Sequence, residues 1–187
     1  GTPYHPFGTT VYALAHPPEA VQQKTLAALA SSPFNKVRLC VFPKWYTFNH
    51  DEPLFPPFER RADGRFDVYR SNVAFYRHLE RRILDLQKLG IEADLILFHP
   101  YDEGHWGFDR MGRDADQQYL RYVLARLGAF RNVWWAMANE WDLVRRRTVY
   151  DWNQLFDVIE KDDPYRKLCS IHNGSEFFDH ARRPITH

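Results

Sequence analysis

The sequence predicts an α/β fold with a parallel sheet, on the basis of three observations. Four segments of strand length are almost continuously apolar, which is typical of strands covered on both faces. Between these segments the apolar residues recur at intervals of three and four, the spacing of an amphipathic helix. The two patterns alternate along the chain, and this alternation indicates parallel strands joined by right-handed crossovers.

Five strands and four helices are predicted in turn. The strands lie at residues 10–15, 37–42, 93–98, 133–138 and 168–171, of which the first has the weakest pattern. The first helix starts near Pro18, because proline is tolerated in the first turn of a helix. The second helix starts at Ser71, the predicted N-cap, and stops at Gly90. The third and fourth helices span about residues 116–128 and 151–161.

The ends of the predicted strands favour a barrel over a doubly wound nucleotide-binding sheet. The turn after the first strand, residues 15–19, contains no glycine. Neither glycine-rich phosphate-binding motif occurs in the chain, and no cofactor is predicted. Polar side chains instead follow the carboxyl ends of the strands; they are His16, Lys44, His99, Asn139, Glu140, His172 and Asn173. In a (β/α)8 TIM barrel these ends converge on one site.

The length predicts an incomplete barrel. A whole (β/α)8 barrel takes about 250 residues, whereas this chain has 187. We therefore expect residues 1–187 to form a single catalytic-barrel segment of a longer polypeptide. Two connections, residues 43–69 and 100–114, are longer than a scaffold requires. Both follow the carboxyl end of a strand, where long loops usually carry function.

The dipeptide Asn139-Glu140, directly after the fourth strand, is the strongest chemical signal in the sequence. A carboxyl group at the end of a buried strand suits general acid/base catalysis. The amide of Asn139 can donate a hydrogen bond to a sugar hydroxyl beside the bond that is cleaved. The alternative is that Glu140 only pairs with a nearby arginine: Arg145, Arg146 or Arg147.

This dipeptide resembles the acid/base motif of the clan A glycoside hydrolases, which are retaining (β/α)8-barrel glycosidases. Two further segments agree with the clan: residues 34–41 resemble its second strand, which carries an arginine, here Arg38, and residues 95–99 resemble its third, which often ends in a histidine, here His99. Residues 7–13 are similar to the first strand of a bacterial branch of multidomain glycosidases that includes apiosidase-like enzymes. The resemblance covers nearly the whole chain.

The resemblance implies a glycosidase that acts on a polysaccharide or oligosaccharide with a retaining mechanism. Glu140 would be the general acid/base, and Arg38 would support the nucleophile. The clan's nucleophile is a second glutamate at the end of the seventh strand, so it is expected beyond residue 187. The branch also implies an immunoglobulin-like domain before the barrel, and the remainder of the barrel after this segment.

The other candidate residues each have a structural alternative. Arg38 lies inside an apolar strand, so it either supports a carboxylate or forms an ion pair with Asp94. Four more polar residues at strand ends are either substrate ligands or satisfied structural groups: His99, His16, His172 and Asn173. Three tryptophans in strand-end loops are either platforms for sugar rings or part of the core: Trp45, Trp106 and Trp141.

Composition excludes several other classes of function. Lys and Arg together number 25 and Asp and Glu 24, so no basic bias points to nucleic acid or to an anionic membrane surface. No apolar run approaches the roughly 18 residues of a membrane-spanning helix. Two cysteines are too few for a disulfide framework. The start of the chain is not a signal peptide, and both a cytoplasmic and a secreted location fit the sequence.

Two alternative functions remain at this stage. The first is a carbohydrate-binding protein on a degenerate barrel without turnover, which the missing second carboxylate would favour. The second is a metal-dependent hydrolase with ligands at His99 and His16. No H-E-x-x-H or H-x-x-x-H spacing occurs, so no metal site is predicted.

Overall fold

The computed structural model describes residues 3–179 and 185–186. Within these residues the elements occur in the following order: β1 (Gly8–Thr10), α1 (Glu19–Ala30), β2 (Lys36–Cys40), β3 (Phe58–Arg60), β4 (Phe66–Ser71), α2 (Val73–Lys88), β5 (Glu92–Phe98), α3 (Arg113–Leu127), β6 (Val133–Ala138), α4 (Val149–Asp162) and β7 (Cys169–Ser170). None of these helices is both long and apolar enough to cross a membrane.

One parallel sheet contains five of the strands, in the order β1-β2-β5-β6-β7. A helix precedes every strand after β1 in this sheet, and each strand is added on the same side of the previous one. This singly wound order is that of a (β/α)8 barrel, whereas a doubly wound sheet reverses its order at a switch point. The predicted fold class, an incomplete (β/α)8 TIM barrel, is therefore confirmed.

The two faces of the sheet differ in chemistry. One face packs against the helices through apolar side chains such as Val37, Leu95 and Trp135, all fully buried. On the other face Cys40, Ile96 and Ala136 lie side by side in the strand register and pack against Tyr12. This second face is the inner wall of the barrel, and a barrel enzyme carries its site at the carboxyl end of that wall.

Charged residues occupy the amino-terminal half of the inner wall. Arg38 lies opposite Asp94 in the register, and its Nε is 3.6 Å from the Asp94 Oδ2. The Lys36 Nζ is 3.0 Å from the same oxygen. Of the two alternatives for Arg38, the ion pair with Asp94 is therefore present.

The first strand starts and ends earlier in the chain than predicted: it spans Gly8–Thr10, whereas the sequence predicted residues 10–15. Regular pairing ends at Thr10, although Val11 N still donates to the Arg38 carbonyl at 2.9 Å. The chain then turns, because Leu14 N donates to the Val11 carbonyl and His16 N to the Ala13 carbonyl. The turn brings Leu14 into the core, where an extended strand would have continued along the edge of the sheet.

A hairpin, β3 and β4, occupies the second half of the connection that was predicted as a long functional loop, residues 43–69, and extends two residues past it. Its Phe58 is fully buried and packs against Phe42 and Phe108, with ring centroids 5.8 and 5.4 Å away. The prediction that Ser71 caps the second helix was wrong, because Ser71 is the last residue of β4 and pairs with Phe58. The cap is Asn72, whose side chain accepts from Ala74 N.

His99, at the carboxyl end of β5, is buried and bonded only to backbone. Its Nε2 lies 3.1 Å from the Phe42 carbonyl, and its Nδ1 accepts from Tyr101 N at 3.2 Å. Because a carbonyl only accepts, Nε2 carries the proton and the ring is neutral. Burial lowers the pKa of His99 to about 3. The imidazole of His99 therefore links the backbone of Tyr101 to the backbone of Phe42, just after the end of β2.

His16 has a similar environment. It is buried, its Nε2 lies 3.2 Å from the Cys40 carbonyl, and its ring stacks on Phe75. Burial lowers the pKa of His16 to about 4. Both histidines were expected to contact substrate, but both rings are buried and their Nε2 atoms lie against backbone carbonyls at and just after the end of β2. A strand-end position in the sequence does not distinguish this structural role from a substrate contact.

A buried ion pair between Arg147 and Asp116 links the segment after β6 to helix α3. The Arg147 guanidinium donates to both carboxylate oxygens of Asp116 at 2.8 and 2.7 Å, and to the Asp109 carbonyl at 3.0 Å. The central carbon of the guanidinium, Cζ, also lies 4.7 Å from the centroid of the Phe98 ring. Both side chains are almost completely buried.

Replacing Arg147 with Met is expected to lower the free energy of unfolding by about 3–5 kcal/mol, because Asp116 then remains as an unpaired buried charge. Urea unfolding of the complete polypeptide at pH 7 measures this loss. The double variant Arg147→Met, Asp116→Leu is the control, and it should recover most of the stability. A loss below about 1 kcal/mol in the single variant would contradict the assignment.

Acidification from pH 7 to pH 5 is expected to destabilise the fold through His99 and His16. Their pKa values lie below the unfolded value of about 6.5, so the unfolded chain takes up protons first. The stability they contribute is present above that pH and is lost as the pH falls toward 4. The expected loss is about 2 kcal/mol per imidazole at pH 5. In urea unfolding at the two pH values, His99→Gln should show a correspondingly weaker dependence, and an unchanged dependence would argue against this origin.

Candidate active site

Glu140 lies two residues beyond the end of β6 and has a left-handed backbone, with φ 51° and ψ 59°. This conformation costs a non-glycine residue about 1–2 kcal/mol. Its neighbours hold it in place, since Asn139 N donates to the Phe98 carbonyl at 3.0 Å and Trp141 N to the His172 carbonyl at 3.1 Å. Strain of this kind is concentrated at functional sites.

The carboxylate of Glu140 is at the end of a chain of hydrogen bonds. The Tyr101 hydroxyl donates to its Oε2. The Tyr101 oxygen accepts from Asn139 Nδ2 at 3.1 Å, and the Tyr12 hydroxyl lies 3.5 Å from Asn139 Oδ1. Burial, together with the hydrogen bond to Glu140, raises the pKa of Tyr101, so this hydroxyl keeps its proton and remains a donor. The carboxylate is thus held in one orientation by groups from three strand ends.

Lys44 lies beneath these tyrosines. Its Nζ is 3.6 Å from the ring centroid of Tyr12, 3.7 Å from that of Tyr101 and 4.4 Å from that of Tyr46. Burial lowers the pKa of Lys44, while Cys40 and the carboxylate of Glu140 oppose this effect. A cation in contact with aromatic faces is stabilised by the ring quadrupoles. The site therefore contains a partly buried carboxylate, Glu140, and an ammonium that is surrounded by three tyrosine rings.

His172 and Arg38 belong to the same electrostatic environment. Burial and the charge of Arg38 lower the pKa of His172, whereas Glu140 and Asp142 oppose this shift. Through its backbone N–H, His172 donates to the Ala138 carbonyl at 3.0 Å. Asn173 follows it and is partly exposed. The structure thus brings Asn139, Glu140 and His172 together at the carboxyl end of the sheet, whereas Arg38 lies further along the inner wall, in the middle of β2.

Asp142 organises the loop after β7. Its carboxylate accepts hydrogen bonds from the backbone of Gly174, Ser175 and Glu176 at 2.6–3.0 Å. Burial alone would raise the pKa of Asp142, but these three N–H groups hold it well below its usual range. A side chain at Gly174 would place its Cβ 3.1 Å from the Asp142 Oδ1, so this close approach favours glycine.

The three predicted tryptophan platforms are less accessible than expected. Trp106 and Trp141 are buried; Trp106 stacks on Phe108, and Trp141 meets Phe178 edge to face. Trp45 is half-buried, and its ring is stacked on His105 with centroids 3.6 Å apart. All three fill space beneath the loops, because large flat rings gain most by burial.

A polar cluster joins the loops after β2 and β5. Glu52 accepts from Trp106 Nε1 at 3.1 Å and lies 2.6 Å from His105 Nε2. The buried carboxylate of Asp102 accepts backbone hydrogen bonds from Trp106, Phe108 and Asp109. Within residues 3–179 and 185–186, no group of three or more His, Cys, Asp or Glu side chains is arranged to hold a metal ion.

Sequence reasoning did not identify Tyr12, Tyr101 and Asp142 as site residues. Tyr101 was within a loop predicted to be functional, two residues after His99, and this position was the available signal. Lys44 was noted as a strand-end residue without a role. Tyr12 gave no signal, because it was predicted to lie inside the first strand.

Comparison with known proteins identifies the family of the chain. The family model described as apiosidase-like, catalytic domain, matches residues 1–184. The crystal structure of a Bacteroides vulgatus ATCC 8482 protein, classed provisionally as a glycoside hydrolase, has a TM-score of 0.95 and 50% sequence identity. That alignment covers 100% of this chain and 39% of the other, so this chain spans well under half the length of that relative.

Two more distant structures show the fold alone. A glycoside hydrolase family 5 protein from Bacteroides vulgatus ATCC 8482 has a TM-score of 0.69 at 14% identity, over 98% of this chain and 39% of its own. The endo-1,4-β-D-mannanase of Thermotoga petrophila RKU-1 has a TM-score of 0.65 at 14% identity, over 93% and 57%. No protein with a curated description matches the chain. Because the family model matches nearly all of its residues, the chain belongs to the apiosidase-like catalytic-domain family, and its fold is part of the (β/α)8 barrel of glycoside hydrolases.

Proposed function

We propose that the protein is a retaining glycoside hydrolase in which Glu140 is the general acid/base. The observation that carries this proposal is the carboxylate of Glu140 at the carboxyl end of β6, held by the hydroxyl of Tyr101. The family match and the barrel fold support the same activity class. The substrate is a polysaccharide or oligosaccharide.

The proposed reaction has two steps. In the first, Glu140 gives its proton to the oxygen of the leaving sugar while a second carboxylate attacks the anomeric carbon. In the second, Glu140 removes a proton from water, which displaces the enzyme carboxylate and regenerates the free sugar. We assign the nucleophile to a glutamate on a strand that follows residue 187.

The other site residues have supporting roles in this proposal. Asn139 Nδ2 donates to the hydroxyl oxygen of Tyr101, and this hydroxyl donates to Glu140. Asn139 therefore orients Glu140 indirectly, through Tyr101. His172 is exposed beside the acid/base and can hydrogen-bond to the sugar. Arg38 lies on the inner wall below the site, with a partly exposed side chain, where it can face the incoming nucleophile strand.

Replacing Glu140 with Gln is expected to lower kcat/KM by about 10²–10⁴ on substrates with poor leaving groups, the usual contribution of general acid catalysis. The glycosylation step of an activated aryl glycoside should lose far less, because its leaving group needs no proton. Steady-state and burst kinetics of the complete polypeptide measure both effects.

Glu103→Gln is the matched control for this variant, because Glu103 is also a loop glutamate with a left-handed backbone, φ 50°, and its side chain is exposed to solvent. Its activity should be unchanged. Equal losses of Glu140→Gln on both substrate classes would indicate a structural residue or the nucleophile. Wild-type protein that binds glycans without turnover would favour the carbohydrate-binding alternative.

A further inference from the structure

Phe48 is one of the two most exposed large apolar side chains among the described residues, with 85% of its surface accessible. It is not on a loose segment. Tyr46 and Asn49 exchange two backbone hydrogen bonds, 3.0 and 2.8 Å long, which close a tight turn with Thr47 and Phe48 at its tip. The side chain of Asn49 also donates to the Lys44 carbonyl at 2.6 Å. The turn therefore presents a fixed aromatic ring to solvent.

A series of ring contacts connects Phe48 to the candidate acid/base. The ring of Phe48 meets that of Tyr46 edge to face, with centroids 5.6 Å apart. Tyr46 is in turn 5.5 Å from Tyr101, whose hydroxyl donates to Glu140. Phe48 is thus two ring contacts from Tyr101, the residue that holds Glu140.

The chemistry of Phe48 restricts what it can bind. Phenylalanine has no hydrogen-bonding group, so it offers only a flat apolar face. One face of a pyranose ring carries several C–H groups and is apolar, whereas its edge carries hydroxyls. A polar group for that edge lies deeper in the site, on the partly exposed Tyr101, whose hydroxyl is bonded to Glu140 and to the buried Asn139. The tryptophans nearby do not serve this purpose, because their rings are buried or covered.

We propose that Phe48 is a stacking platform for a pyranose residue of the substrate, next to the residue that is bound at Glu140. This inference rests on the proposed glycosidase function and deepens it by assigning a subsite. The ligand class is an oligosaccharide of pyranose sugars, and the contact is between its C–H face and the phenyl ring.

The test measures binding without turnover, in the Glu140→Gln background of the complete polypeptide. Affinity gel electrophoresis in galactomannan, xyloglucan and pectic galactan supplies pyranose polymers, and linear arabinan supplies a furanose polymer. We expect at least one pyranose polymer to retard the protein. Adding Phe48→Ala should weaken that binding about tenfold, the order of one aromatic stacking contact. Phe48→Trp should retain it, since the flat face remains.

Phe7→Ala is the matched control, because Phe7 is also exposed but precedes β1, at the opposite end of the sheet from Glu140. It should leave retardation unchanged. Equal retardation with and without Phe48, binding to arabinan alone, or no retardation by any pyranose polymer would overturn the proposal. These outcomes are independent of the rate loss of Glu140→Gln, so a failure of the subsite and a failure of the glycosidase assignment can be told apart.

Discussion

The hydrogen bond from the Tyr101 hydroxyl to the Glu140 carboxylate is the contact on which the candidate site depends. Tyr101 is positioned for this bond by His99, whose buried, neutral ring accepts a hydrogen bond from the Tyr101 backbone N–H. Glu140 is positioned by the residues on either side of it, whose backbone N–H groups are bonded to the neighbouring strand ends and hold Glu140 in a left-handed conformation. A carboxylate fixed in this way is preorganised, so little reorganisation is needed when charge develops beside it.

Three polar side chains around this contact hold the strand-end loops. Lys44 lies against the same tyrosine rings, the carboxylate of Asp102 accepts from the backbone of the loop after β5, and that of Asp142 accepts from the backbone of the loop after β7. The two carboxylates orient loops whose backbone N–H groups would otherwise lack partners. The stability of the fold and the geometry of the site are therefore coupled through the strand-end loops.

The sequence was sufficient for the architecture because continuous apolar strands and amphipathic helices leave a strong periodic signal. The strand at residues 133–138 was predicted with its observed bounds, and Glu140 followed from its position after that strand. The roles of His99 and the tryptophans were not predictable, since a strand-end residue faces either the cleft or the packing beneath it. That choice depends on contacts between residues far apart in sequence, such as His99 with Phe42. Ser71 was misassigned because the pairing of a hairpin outweighed its preference for a helix cap.

The most direct measurement of the central assignment is the configuration of the product formed with azide by a Glu140→Gly variant. Glycine also relieves the left-handed backbone, so the variant is expected to fold. If Glu140 is the acid/base, azide enters in place of water at the glycosyl-enzyme, and an activated aryl glycoside gives a glycosyl azide of retained configuration. A glycosyl azide of inverted configuration would identify Glu140 as the nucleophile and contradict the assignment.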